Sequence, residues 1–221
     1  MTSVNRYIDH TLLKPTSTKH HIISLCEEAI QYDFYSVCVN GSYAKLAALE
    51  LQESNVKVCC VIGFPLGAMS SSAKAYEASQ AIEDGAHEID MVMNLGAFKS
   101  GDFEYVKRDI EAVKSAIGNV TLKVILETCE LDKAEIIKAC ELCLEAKADF
   151  VKTSTGFGKG GATLEDVTLM LQTVGDRAKV KASGGIRDQK TAQACINLGV
   201  ARLGVSSGVA IMEGLRSNSE Y

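Results

Sequence analysis

The chain has no basic run and no stretch where basic and aromatic residues interleave, so it offers no track for a nucleic-acid backbone. Its formal charge is −5, with both signs mixed along the length. No apolar run approaches the length that crosses a bilayer. Residues Met1 to Arg6 carry no apolar signal core. The four histidines, His10, His20, His21 and His87, lack metal-site spacing. No linker, low-complexity segment or break in composition divides the chain. The expectation is a cytoplasmic, single-domain protein handling small molecules, without nucleic-acid or membrane partners and without a metal.

Cysteine is plentiful, at eight residues, but the thiols sit in apolar stretches and read as reduced, mostly buried groups. Cys140 and Cys143 form a C-x-x-C in the middle of a helical pattern with no second ligand pair, which favours core packing.

The 221 residues, 47% of them hydrophobic, suffice for one large core near the lower size limit of an eight-stranded α/β barrel. Short β-branched runs predict strands over 7–11, 36–39, 57–64, 88–94, 121–127, 150–152, 180–182 and 202–205. Amphipathic stretches separate them. One presents Ile22, Leu25, Cys26, Ala29 and Ile30 as a buried stripe, and another Val106, Ile110, Val113 and Ile117. Asp132 with Glu135, and Thr163 with Asp166, mark helix starts; Gly85, Gly118, Gly175 and Gly199 mark stops. Eight β units with helical crossovers give a parallel sheet, open or closed. Charged residues at alternate strand positions, which would point inward, favour closure into a (β/α)8 TIM barrel over 1–215. A polar, mobile tail is expected over 216–221.

Alternation along each strand predicts that Asp9, Cys38, Asp90, Lys123, Lys152 and Lys181 face the barrel axis. Each alone reads as a satisfied interior ion pair. Three lysines together imply more, since mutual repulsion and desolvation both lower a lysine pKa, and a neutral amine is the nucleophile of Schiff-base chemistry. Glycine-rich turns at Ser183-Gly184-Gly185 and Gly204-Val205-Ser206-Ser207-Gly208 expose backbone N–H groups after the last two strands, where barrels bind phosphate. Residues 156–161 spell G-x-G-x-x-G, with Asp176 twenty residues on. Asp176 lies before the next strand, not at its end, so a loop lining the substrate site is the better reading. His10 follows Asp9 and reads equally as its orienting partner or as a structural hydrogen bond.

The segment Phe150-Val151-Lys152-Thr153-Ser154-Thr155-Gly156-Phe157 strongly resembles the deoxyribose-phosphate aldolase family. So do Ile8-Asp9-His10-Thr11-Leu12-Leu13, Gly63-Phe64-Pro65-Leu66-Gly67-Ala68, Glu88-Ile89-Asp90-Met91-Val92, Leu122 to Thr128 and Val180 to Arg187. The resemblance implies a class I aldolase, a lyase that reversibly cleaves 2-deoxy-D-ribose 5-phosphate to D-glyceraldehyde 3-phosphate and acetaldehyde. It implies a Schiff base on Lys152, Lys181 as the neighbouring cation and Asp90 in proton relay; the aromatic residue Tyr221 at the end of the polar tail reads either as chance or as a proton carrier brought to the barrel mouth. Asp9, Cys38, Lys123, Thr155 and Gly156 would lie near the substrate, with phosphate at Gly184, Gly185, Gly204, Ser206 and Ser207. No cofactor is implied, and a homodimer is expected. Gly41, Met69 and Gly158-Lys159-Gly160 depart from the family pattern, in loops only. The alternatives are another Schiff-base barrel, such as a transaldolase, and a non-catalytic phosphosugar-binding barrel.

Overall fold

Eight β-branched strands and nine α-helices alternate in the computed structural model, which describes residues 4–217. The strands are β1 (Ile8–Leu12), β2 (Ser36–Asn40), β3 (Lys57–Ile62), β4 (Glu88–Val92), β5 (Thr121–Ile125), β6 (Phe150–Lys152), β7 (Lys179–Ser183) and β8 (Arg202–Val205). Each pairs in parallel with the next, and β8 pairs with β1, so the sheet closes as a barrel. The helices are α1 (Lys19–Gln31), α2 (Ala44–Glu50), α3 (Ser71–Glu83), α4 (Leu95–Lys99), α5 (Phe103–Ile117), α6 (Lys133–Glu145), α7 (Leu164–Val174), α8 (Gln189–Leu198) and α9 (Gly208–Met212).

The caps expected from the sequence are present. Asp132 and Glu135 form a reciprocal capping box at α6, and Thr163 accepts from the Asp166 N–H at α7. Gly118, Gly175 and Gly199 follow the last residues of α5, α7 and α8. The stripe Val106, Ile110, Val113 and Ile117 is buried. On α1 the stripe is narrower than expected. Ile22, Leu25, Cys26 and Ala29 are buried, but Ile30 is 47% exposed. At 100° per residue Ile30 sits on the stripe's solvent edge, beyond the reach of the sheet.

Two layers result. Outward strand residues such as Val37, Val58, Ile89, Leu122, Val124, Val151, Val180 and Leu203 pack under the helices as the main apolar core. The inward layer is largely polar, and Leu13, Cys38, Cys59 and Val61 form a small apolar cluster in it. Seven of the eight cysteines are buried, and all are free thiols. Cys140 and Cys143 lie in the apolar core. Beyond α9 the Ser217 N–H donates to the Arg187 carbonyl at 3.0 Å.

Candidate active site

The inward register brings the predicted charged residues together. Lys123 pairs in register with Asp90, and Lys152 with Lys181. Asp90 is fully buried at the centre. Its Oδ2 accepts from Lys152 Nζ at 2.8 Å and from Lys181 Nζ at 2.9 Å, while Oδ1 accepts from Lys123 Nζ at 3.0 Å and from the Cys59 thiol at 3.1 Å. Lys181 Nζ also lies 2.5 Å from Asp9 Oδ2. Lys123 Nζ lies 2.6 Å from Glu88 Oε2.

Arg202 completes the network from the opening residue of β8. It donates to Asp9 Oδ1 at 2.7 Å and to Glu88 Oε1 at 2.8 Å. Ser36 adds a hydroxyl to Asp9 at 2.7 Å. Sequence reasoning missed Arg202, Glu88, Ser36 and Cys59. The signal was available: Arg202 and Glu88 are charged residues opening strands with otherwise apolar continuations, two positions from inward residues.

Four cations, Lys123, Lys152, Lys181 and Arg202, therefore face three carboxylates, Asp9, Glu88 and Asp90. Burial alone would raise the Asp90 pKa, but the attraction of Lys123, Lys152 and Lys181 outweighs it and holds Asp90 well below the usual carboxylate range. Asp9 is likewise lowered, burial being overcome by Lys181 and Arg202.

The expectation that crowding lowers the lysine pKa values fails for Lys181 and Lys123. Burial pushes the Lys181 ammonium down, but Asp9 and Asp90 together hold it well above its ordinary value. Lys123 is raised in the same way, chiefly by Asp90 against burial. The carboxylates interleaved between the lysines reverse the sign that lysine repulsion alone would give. The thiols diverge as well. A hydrogen bond with Cys59 lowers Cys38 against its burial, whereas burial raises Cys59 far above the thiol range.

A cavity of about 250 Å³ opens at the C-terminal end of the strands. Lys152 is on its wall, whereas Lys123, Lys181, Asp9, Asp90 and Cys38 are fully enclosed behind it. Thr155 and Gly156 form one side, and Gly184, Gly185, Gly204, Ser206 and Ser207 the other. Gly204 also makes room for the inner lysine: a Cβ there would lie 3.0 Å from Lys181 Cε. The helix after β8 is five residues long, and the Ser207 hydroxyl does not cap it. This turn thus offers an anion its local backbone N–H groups and hydroxyls more than a helix dipole.

The G-x-G-x-x-G segment does not open a nucleotide-binding helix. It lies against the turn after β7, where a Cβ on Gly161 would fall 2.4 Å from the Gly184 carbonyl. The Ala162 N–H donates to the Ser183 and Gly184 carbonyls at 3.0 Å each. Asp176 sits in the short turn that precedes β7. His10 faces away from Asp9 and pairs with Glu28 at 2.6 Å, which makes it a structural contact. Tyr221 lies outside the described residues. Among the described residues Cys38, Cys59 and Asp90 are close enough to hold a metal ion, but three ammonium groups touch the same carboxylate and oppose a cation.

The family model described as "DeoC/LacD family aldolase" matches residues 4–214. The deoxyribose-phosphate aldolase of Mannheimia succiniciproducens is 57% identical over 214 residues, covering 97% of this chain and 96% of that protein. A solved structure described as QR15, an aldolase, superposes with a TM-score of 0.93 at 46% identity, covering 96% of each chain. The deoxyribose phosphate aldolase of Aeropyrum pernix, described as a tetramer, gives a TM-score of 0.87 at 33% identity, covering 95% of this chain and 89% of the other.

Proposed function

The chain belongs to the DeoC/LacD aldolase family and is a lyase, and from that premise we propose that it cleaves 2-deoxy-D-ribose 5-phosphate reversibly through a Schiff base on Lys152. One observation carries the assignment of the lysine. Lys152 alone of the three interior lysines lines the cavity, and across that cavity stand the Gly184-Gly185 and Ser206-Ser207 turns suited to a phosphate. Among the described residues Lys181, Lys123 and Arg202 each contact two carboxylates, whereas Lys152 contacts Asp90 only. Lys152 thus has the fewest carboxylate contacts to give up on becoming a neutral nucleophile. Losing its proton would also balance the interior, with three cations facing three carboxylates.

In the proposed reaction the Lys152 amine adds to the C1 carbonyl, and loss of water leaves an iminium joining Nζ to C1. Removal of the C3 hydroxyl proton breaks the C2–C3 bond. C3 becomes the aldehyde carbon of D-glyceraldehyde 3-phosphate, and the bonding electrons pass to C2 as an enamine. Protonation at C2 and hydrolysis release acetaldehyde and restore the amine. Asp90, held as a carboxylate by its ammonium neighbours, relays protons through water without storing them. Lys181 stays charged and shares the Asp90 Oδ2 with Lys152, so a fixed positive charge stands beside the nucleophile. Asp9 holds Lys181 in place. The enclosure of Cys38 and Lys123 limits them to shaping the inner wall behind the reacting carbon.

No described helix is long and apolar enough to cross a membrane. A cytoplasmic homodimer remains our reading of location and assembly. Sedimentation velocity would test the copy number, with the Aeropyrum pernix tetramer as the contrasting case. For the reaction itself, the purified protein given 2-deoxy-D-ribose 5-phosphate should release acetaldehyde and D-glyceraldehyde 3-phosphate in equal amounts. With D-glyceraldehyde 3-phosphate as acceptor it should use acetaldehyde, not dihydroxyacetone phosphate, as donor. The reverse donor preference would contradict the proposal.

A further inference from the structure

Glu127, two residues past β5, has a left-handed backbone, with φ 55° and ψ 63°. Residues with a long side chain rarely adopt this conformation, and they persist in it where the surroundings require it. The side chain gives the reason. It is 5% exposed and turned under the loop that follows β6. Its carboxylate accepts from the Thr155 N–H at 3.3 and 3.4 Å and also from the Thr155 hydroxyl. That hydroxyl in turn accepts from the Phe157 N–H at 3.0 Å.

The loop is moulded on this residue and its neighbour. A Cβ on Gly158 would lie 3.2 Å from Glu127 Cδ, and one on Gly160 3.0 Å from Cys129 Cβ. Thr155, Gly156 and residues 158–161 of this loop line the cavity that Lys152 opens into. Their far end is fixed by the Gly161–Gly184 approach and the Ala162 hydrogen bonds. Their near end has Glu127 as its tether.

We infer that Glu127 is a positioning residue for substrate fit: acting through Thr155, it sets the distance between loop 155–161 and the phosphate-facing turns at Gly184 and Ser206. It touches neither the nucleophile nor Asp90, so it acts on binding and not on the covalent step. The inference rests on the aldolase reading proposed above.

Glu127→Gln keeps the volume and the backbone conformation but removes the negative charge and turns one acceptor oxygen into a donor amide, so the Thr155 N–H loses one of its two acceptors and both Thr155 bonds lose their charge assistance. The KM for 2-deoxy-D-ribose 5-phosphate should rise about tenfold or more, with kcat reduced less than about threefold. Thr155→Val should act alike, and the double variant should match Thr155→Val alone, because both changes break one link. A purely structural Glu127 predicts the opposite split, a lower melting temperature with KM unchanged, and that result overturns the inference. So do KM effects that multiply in the double variant. Should Glu127→Gln fail to fold, Glu127→Asp decides, since it keeps the charge but shortens the reach to Thr155: a raised KM with wild-type melting supports the tether, and an unchanged KM overturns it. Wild-type protein in the same assay separates the two levels. If it releases no acetaldehyde, the aldolase reading fails and takes this inference with it; if it does, an unchanged KM in the variants removes the inference alone.

Discussion

Asp90 is where three ammonium groups converge, so its substitution should cost both stability and turnover. Asp90→Asn keeps the shape but leaves buried cations without their counterion. Breaking a buried pair from one side typically costs about 3–5 kcal/mol, and losing a proton-relay group about a hundredfold or more in turnover. Thermal melting and steady-state kinetics should register both losses. The pH behaviour follows from signs. Asp9 and Asp90 are lowered, so their contribution to stability is present above the unfolded carboxylate pKa and is lost only as pH falls through the depressed folded values. Lys123 and Lys181 are raised, so theirs is complete below the unfolded lysine pKa and is lost only as pH rises through the elevated folded values. Between about pH 5 and 9 these four groups neither take up nor release protons. Lys181→Leu removes a fixed positive charge beside Lys152, so the acid limb of the rate profile should move to higher pH. A profile scaled down without moving would contradict that role. The inward positions of all six residues were legible from alternation alone. The sign of the lysine shifts was not, because it depends on carboxylates contributed by other strands, Glu88 among them.

At the scale of elements, the strands were readable because β-branched runs end where glycine and proline begin. Their C-terminal ends were overestimated on β3 to β5, where apolar residues such as Leu126 continue past the last strand residue. The G-x-G-x-x-G segment shows what spacing alone cannot decide, since its glycines serve close packing against Gly184 and Glu127. The turn after β8 is the element assigned to phosphate. Ser206→Asp would place a like charge against the ligand there. It should raise KM for the phosphorylated sugar strongly and for unphosphorylated deoxyribose much less. Equal losses with both sugars would move the phosphate elsewhere. The left-handed backbone at Glu127 left no trace in the sequence, because any local propensity would have argued against it.

For the whole molecule, closure of the barrel converts an unremarkable set of alternating residues into one charged interior, in which Lys152 alone of the three interior lysines lines the cavity. Closure was inferable from the inward charges, since an open sheet would have left them beneath helices. The role of Tyr221 is a proposal from the sequence. Deleting it should leave Schiff-base trapping intact while slowing deuterium exchange into the acetaldehyde methyl group. Wild-type exchange in the deletion variant would remove Tyr221 from the proton path.

The central claim is that Lys152 carries the covalent intermediate. Borohydride reduction in the presence of acetaldehyde, followed by peptide mass mapping, tests it directly. The expected result is a reduced two-carbon adduct on Lys152, absent from Lys152→Ala, whose turnover should fall by several orders of magnitude. An adduct on Lys123 or Lys181, or none at all, would contradict the account.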